Sequence, residues 1–209
     1  MRQMGLRSVW VKPKSKAAVH PDFNKDLHNV LRRRFNPERP NAVWCTDITY
    51  IWIGNRFVYL TSIMDLFSRK IISWKLSQSM DVRFVIEAVE KAREKRKITE
   101  PLIIHSDRGS QYLSKAYMEA TKKMTRSYSR AGTPYDNACI ESFHALIKRE
   151  WLNRFTIRSY SQAYALVFDY IEAFYNTVRI HGHCGYQSPN TLEALYAKNA
   201  SQPQFMMVG

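Results

Sequence analysis

From Val43 to Ile53 the chain is dense in β-branched and aromatic residues, Gly54-Asn55 supplies a turn, and Phe57 to Met64 repeats the pattern. Ser68-Arg69-Lys70 leads into a third such run, Ile71 to Leu76. Three strands with short connections form most simply an antiparallel meander. After Asp81 the period changes. Val82, Val85, Ile86, Val89 and Ala92 share a helical face while Arg83, Glu87, Lys91 and Glu94 lie elsewhere, so a helix capped by Asp81 is expected. Pro101 then punctuates the chain, and Leu102-Ile103-Ile104-His105 is short and apolar enough for a buried parallel strand. A turn at Arg108-Gly109, a modest helix near Ser114 to Lys123 and a short strand around Arg126 to Tyr128 complete this half.

Gly132-Thr133-Pro134 makes a loop, and Tyr135 to Trp151 reads as a helix opened by Asp136. Ile140, Phe143, Ile147 and Trp151 form its apolar stripe. Glu141 and Lys148, seven residues apart, stand almost above one another, about 100° round from that stripe. Ser159 or Ser161 starts another long helix, free of glycine and proline, with Ala163, Val167, Tyr170, Ile171, Phe174 and Val178 on one side. His181 to Pro189 reads as a loop and Thr191 to Ala197 as a last helical turn or two. The element order is that of an α/β chain, a mixed five-stranded sheet flanked by helices, with additional C-terminal helices.

The pattern also divides the chain. Residues 1–40 are interrupted by Pro13, Pro21, Pro37 and Pro40, carry Lys12, Lys14, Lys16 and Arg32-Arg33-Arg34, and offer little from which to build a core. A basic arm laid along a phosphate backbone and a free linker share that composition. Residues 41–196 are expected to form the core with its C-terminal helices, and 197–209 a flexible tail.

Charge sharpens the picture. Lys and Arg number 32 against 18 Asp and Glu in 209 residues, a formal charge of +14. That excess favours a polyanionic partner, because each phosphate neutralised releases counterions. The three cysteines, Cys45, Cys139 and Cys184, make no disulfide framework, and a reducing cytoplasm suits them. No apolar run approaches the roughly 18 residues of a membrane span, and the first residues lack a signal-peptide core, so a soluble intracellular protein without a membrane partner is expected.

Three carboxylates stand out against this background. Asp47 lies inside the first strand among Ile, Thr, Tyr and Trp, where a charge needs a partner or a metal. Asp107 ends the fourth strand, and Glu141 projects from the helix. Alone, Asp47 reads equally as a buried aspartate satisfied by amides, and Asp107 as an ordinary turn-former. Together they offer oxygen donors without paired histidines or thiolates, which suits Mg²⁺ or Mn²⁺. Two such ions about 4 Å apart would hold the attacking and leaving oxygens of an in-line phosphoryl transfer. His181-Gly182-His183-Cys184 has no second ligand pair for zinc, and His105 and His144 read as packing or hydrogen-bonding residues. Asp65 is expected to form a salt bridge with Arg69 or Lys70, and Tyr112, Tyr128 and Tyr135 to be core or base-stacking residues.

Four segments carry a resemblance. Trp44-Cys45-Thr46-Asp47-Ile48-Thr49-Tyr50, Met64-Asp65-Leu66-Phe67-Ser68-Arg69-Lys70, His105-Ser106-Asp107-Arg108-Gly109-Ser110-Gln111-Tyr112 and Asp136-Asn137-Ala138-Cys139-Ile140-Glu141-Ser142-Phe143 closely resemble bacterial insertion-element transposases with a retroviral-integrase-like (DDE) catalytic core. Tyr175-Asn176, Arg179, His181 and Gln187-Ser188-Pro189 look like that family's C-terminal signature. The resemblance implies a ribonuclease-H-like fold and a catalytic, metal-binding triad of Asp47, Asp107 and Glu141. It implies metal-dependent cleavage and strand transfer on element ends and target DNA, by a homodimer or higher oligomer associated with the bacterial nucleoid. It further implies that Lys148 contacts terminal DNA, with Arg149, Arg108, Asn137, Arg130 and Arg179 as further DNA-binding candidates. A truncated DNA-binding remnant or inhibitor, and a nuclease of the same fold that never joins strands, are the alternatives.

Two departures accompany it. The spacing of 33 residues between Asp107 and Glu141 is slightly shorter than is usual in this branch of the family, with the difference expected near Lys122 to Arg126. Met1 to Ser8 resembles the end of a helix-turn-helix region, so the upstream DNA-reading part is expected to lie outside this chain.

Overall fold

The computed structural model describes residues 27–201. The three β-rich runs become β1 (Val43–Ile53), β2 (Arg56–Asp65) and β3 (Ile71–Ser77), paired as an antiparallel meander. Gly54 makes the first reversal with φ of +53°, a left-handed conformation that a Cβ disfavours. Its N–H donates to the Ile157 carbonyl at 2.9 Å and ties down the hairpin tip. β4 (Ile103–Ser106) joins the other side of β1 and β5 (Thr125–Tyr128) joins β4, both in parallel pairs, giving the order β3-β2-β1-β4-β5. Because β4 is short, its pairing with β1 covers only Val43 to Cys45. Asp47 therefore sits just past the point where β1 loses a strand neighbour on that side.

Alternation along β1 feeds two cores, one on each face of the sheet. Trp44 packs with Ile63, Ile72 and Ile104 against Val85, Ala88, Val89 and Ala92 of α1 (Val82–Lys95), and Tyr117 of α2 (Lys115–Ala120) joins them. The Asp81 carboxylate caps α1 by accepting from the Arg83 N–H at 2.8 Å. On the opposite face, Cys45, Ile51 and Ile53 meet Ile140, Phe143 and Ile147 of α3 (Ala138–Glu150) and Ala163 and Val167 of α4 (Tyr160–Phe168). Burying each large side chain of the α3 stripe contributes roughly 1.5–3 kcal/mol, enough to set which residues α3 turns outward. Among the described residues no helix is long and apolar enough to cross a membrane.

Several elements depart from the sequence reading. Asp136 does not cap α3; Pro134–Asn137 form a 3₁₀ turn and Asn137 occupies the cap position. Asp136 instead turns inward, fully buried, and accepts from Asn29 Nδ2, Arg33 Nε, the Arg130 amide and Arg130 Nε. The long helix continues beyond α4 as a π-helix, Asp169–Tyr175, with the Asn176 N–H reaching back five residues to the Ile171 carbonyl. That wider winding rotates the later positions, so Tyr175 is buried, Phe174 only half-buried and Val178 exposed. Asp65 makes no salt bridge with Arg69 or Lys70; its buried carboxylate accepts the amides of Asn41 and Phe67, and burial pushes it up to about 6. Lys70 pairs with Glu193 at 3.3 Å instead.

The ends also differ. Leu27 and Leu31 are buried although the sequence around them offers few core formers. The Tyr128 N–H donates to the His28 carbonyl and the Leu31 N–H to Ser127 Oγ, so this stretch runs along the outer edge of β5 and covers it. α5 (Pro189–Ala200), capped by Ser188, extends past the expected turn or two and into the stretch read as tail. The basic residues before position 27, and residues 202–209, lie outside the described residues.

Asp136 joins the N-terminal stretch, the loop after β5 and the entry to α3. Burial alone would raise its carboxyl, but the Arg130 amide and the guanidiniums of Arg33 and Arg130 outweigh it and hold the group well below the usual carboxylate range. A depressed carboxyl contributes stability above its unfolded value, near 3.9, and loses it as pH falls further. Asp136→Ala is expected to lower the unfolding free energy by roughly 2–3 kcal/mol at neutral pH. Urea denaturation at pH 7 and pH 3 checks it, with the gap between parent and variant narrowing at the lower pH.

Candidate active site

Asp47 is carried on the side of β1 that faces α3, and the same helix presents Glu141, His144 and Lys148. His144 is buried, with Nδ1 3.3 Å from Asp47 Oδ2 and Nε2 3.2 Å from Ser62 Oγ. Ser62 is the residue directly opposite Asp47 on β2, so one imidazole braces a cross-strand pair. Asp107 follows β4, and its Oδ1 accepts the Gly109 N–H at 2.9 Å. A Cβ at position 109 would stand 3.0 Å from that oxygen, close enough that the carboxylate would have to give by a few tenths of an ångström. Glu141 is exposed in the first turn of α3, one helical turn before His144.

The electrostatics show that these groups share a neighbourhood. Burial raises the Asp107 carboxyl, the Gly109 amide opposes this, and the charge of Asp47 raises it further. Glu141 is raised by burial, then by Asp47 and Asp107. Burial lowers the half-buried Lys148 ammonium, while Asp47 pulls it back up. Three carboxylates brought together from β1, the end of β4 and α3 thus repel one another with limited compensation. Among the described residues no three acidic, histidine or cysteine side chains stand in a closed metal-holding cluster. The all-oxygen donor set matches a hard divalent cation.

The remaining expected residues divide. Arg149 is exposed on α3, next to Lys148. Arg108 donates to the carbonyls of Ser129 and Leu27, Arg130 to Asp136, and Arg179 makes a two-pronged pair with Glu150 at 2.8 and 2.7 Å. Those three guanidiniums hold the protein together locally. Asn137 is buried with neither atom of its side-chain amide hydrogen-bonded. His105, between Ser127 Oγ and Ser129 Oγ, is lowered by burial to about 4 and stays a neutral structural residue. His183 Nε2 donates to the Phe67 carbonyl and the Cys184 thiol to that of Ser68. Tyr112 and Tyr128 are core, whereas Tyr135 is exposed beneath Arg33. His144 is the hydrogen-bonding residue expected from the sequence; that its partners are Ser62 and Asp47 was not legible there.

Two descriptions of the integrase core domain family match the chain, over residues 37–134 and 122–189. The chain is 36% identical over 195 residues to the transposase for insertion sequence element IS904 of Lactococcus lactis subsp. lactis (strain IL1403), spanning 92% of this chain and 77% of that protein. It is 35% identical over 195 residues to the transposase InsF for insertion sequence IS3A of Escherichia coli (strain K12), spanning 92% and 68%. In fold it is similar to the simian T-cell lymphotropic virus intasome in complex with PP2A regulatory subunit B56 gamma, with a TM-score of 0.63 at 17% identity over 81% of this chain and 58% of that one. The HTLV-2 integrase catalytic core domain in complex with magnesium, in its trimeric form, gives 0.58 at 17% identity over 76% and 99%. The catalytic domain of Mos1 mariner transposase gives 0.53 at 12% identity over 76% and 80%. The five-stranded mixed sheet with its flanking helices is the ribonuclease-H-like fold.

The shared electrostatic neighbourhood is directly measurable. In Asp47→Asn, the side-chain carboxyl carbons of Asp107 and Glu141, followed by NMR titration, are expected to titrate at lower pH than in the parent. Unchanged midpoints would mean that the three groups do not face one another.

Proposed function

The chain belongs to the bacterial insertion-element transposases with an integrase-like core, and we propose that Asp47, Asp107 and Glu141 are the carboxylates with which it performs their polynucleotidyl transfer. The observation that supports this reading is that the three acids, carried by three elements, lie close enough for Asp47 to raise the carboxyls of Asp107 and Glu141 and for Asp107 to raise that of Glu141, in a chain of formal charge +14. The magnesium named with the HTLV-2 integrase core supports a divalent ion, and two Mg²⁺ or Mn²⁺ ions held by these carboxylates would supply Lewis acidity to the attacking and leaving oxygens.

The protein's own groups define the rest. His144 orients Asp47 through the 3.3 Å contact of Nδ1 with Oδ2 and anchors itself on Ser62, so the carboxylate meets a phosphodiester in one orientation. The Gly109 amide does the same for Asp107. Glu141, exposed on α3, closes the site from the helix side. Lys148 lies seven residues further along α3, about 10 Å by helix rise, where its ammonium meets the phosphates flanking the reacting one. Arg149 extends that cationic edge. Water attacks first to free the 3′-hydroxyl of the element, and that hydroxyl then attacks target DNA, with no covalent protein–DNA intermediate. Element ends and target DNA are the partners in this reading, handled by a dimer or higher assembly at the nucleoid. Two ends must be cut and joined together, and the trimeric form of the HTLV-2 core supports an assembly of this kind.

Replacing Asp107 by Asn is expected to reduce end cleavage in Mg²⁺ by more than about a hundredfold, beyond the range seen when only a supporting residue is lost. DNA binding, measured by anisotropy, stays close to the parent's. Equal cleavage by both proteins would remove Asp107 from the site. For Lys148→Ala, the slope of log binding constant against log salt is expected to flatten by about one unit; an unchanged slope would make Lys148 an ordinary helix-face residue.

A further inference from the structure

Beyond Asp47 the β1–β2 hairpin exposes an aromatic face that the fold does not use. Ile51 and Ile53 are buried, but the alternating Tyr50 and Trp52 are 58% and 54% exposed, and Phe57 on β2 is 43% exposed. Trp52 and Phe57 are directly opposed in the strand register, with ring centroids 4.7 Å apart, and Phe57 and Tyr50 are 5.1 Å apart. The three rings therefore form one contiguous surface. Lys148 Nζ lies 4.5 Å from the centre of the Tyr50 ring. Beside it opens a cleft of about 510 Å³ whose lining includes Lys148, Arg158, Asn153 and Phe155, and no carboxylate.

Three large aromatic side chains left in water on one strand pair are an unfavourable arrangement unless something covers them. The charge around them selects the occupant. A second copy of this chain would bring Lys148 and Arg158 against another strongly basic surface, whereas nucleic acid is attracted by it. Duplex DNA keeps its base faces stacked inside and offers aromatic rings little to pack on, while unpaired bases present a π-face to any ring, favourably so beside a cation. Tyr50 is three residues along β1 from Asp47, about 10 Å, and Trp52 about 17 Å, so both alternate onto the sheet face opposite Asp47. It is Lys148 of α3, reaching the Tyr50 ring, that links that surface to the reacting phosphate.

We propose that Tyr50, Trp52 and Phe57, with Lys148 over the Tyr50 ring, form a stacking platform for unpaired nucleotides of the DNA strand next to the cleavage point. It holds the end open while the carboxylates act. This deepens the transposase reading given above and rests on it for the location of the reacting phosphate.

The test compares binding of the full chain to a labelled DNA duplex carrying a short oligothymidine extension and to the same duplex blunt-ended, by fluorescence anisotropy. For the parent, the extension is expected to strengthen binding about tenfold, in the range that stacking on aromatic side chains supplies. Trp52→Leu with Phe57→Leu keeps apolar cover on the hairpin but removes the rings; it is expected to lose that gain and to bind blunt duplex within about twofold of the parent. Trp52→Phe alone keeps a ring and is expected to retain most of the gain. The proposal is overturned if the double variant keeps the full gain, if it loses blunt-duplex binding to the same extent, or if the gain persists while light scattering shows that the variant has lost self-association. Asp107→Asn separates the two readings: undiminished cleavage by that variant removes the catalytic assignment, while the stacking gain stands or falls in the binding assay alone.

Discussion

The packing of α3 against β1 and β2 is the contact on which the rest of the structure depends. Ile140, Phe143 and Ile147 are buried against the sheet, and this fixes both the height and the rotation of the helix. Because successive residues of an α-helix turn through about 100°, fixing that stripe also fixes where Glu141, His144 and Lys148 point. His144 then meets Asp47, and Lys148 meets Tyr50. The hydrophobic contact is strong and without directional preference, and it places a set of polar groups that would not remain together unaided.

Those polar groups are held against their own electrostatics. Burial and the charge of Asp47 raise the carboxyls of Asp107 and Glu141, and Asp107 raises that of Glu141 further. The device at the entry to α3 is the reverse case. Asp136 collects two guanidiniums and two further donors, so its charge is over-compensated and strongly stabilising. One carboxylate thus fastens the N-terminal stretch, the loop after β5 and the start of α3, four positions upstream of Ile140 on the stripe. Asp107 and Glu141 by contrast are left under-compensated.

The short β4 is a second constraint with functional consequences. By pairing with β1 only as far as Cys45, it leaves the edge of β1 open from Thr46 onward. Asp47 and Tyr50 both lie on this open portion. The same loss of a neighbour leaves both at a stretch of β1 with no strand beside it on that edge.

β1 emerges with the bounds expected from its run of β-branched and aromatic residues, and the caps of α1 and α2 fall on Asp81 and Ser114 as local chemistry dictates. Such features depend on neighbours in sequence, and a pattern of residue types suffices for them. What depended on distant partners was not legible. Asp136 looked like a helix cap because its partners Asn29 and Arg33 are about a hundred residues away, and Leu27 and Leu31 looked like linker because the edge of β5 that they cover lies equally far along the chain. The π-winding at Asp169–Tyr175 shifted a helical face that a period of 3.6 could not anticipate. The sequence by itself determined the residue types and motifs of an insertion-element transposase and the order of its strands and helices. Only the tertiary structure decided that Asp47, Asp107 and Glu141 feel one another's charge, that His144 braces Asp47, and that Arg108, Arg130 and Arg179 are already engaged. Electrostatic coupling and hydrogen bonding fall off within a few ångströms, and distances of that kind exist only once the chain has folded.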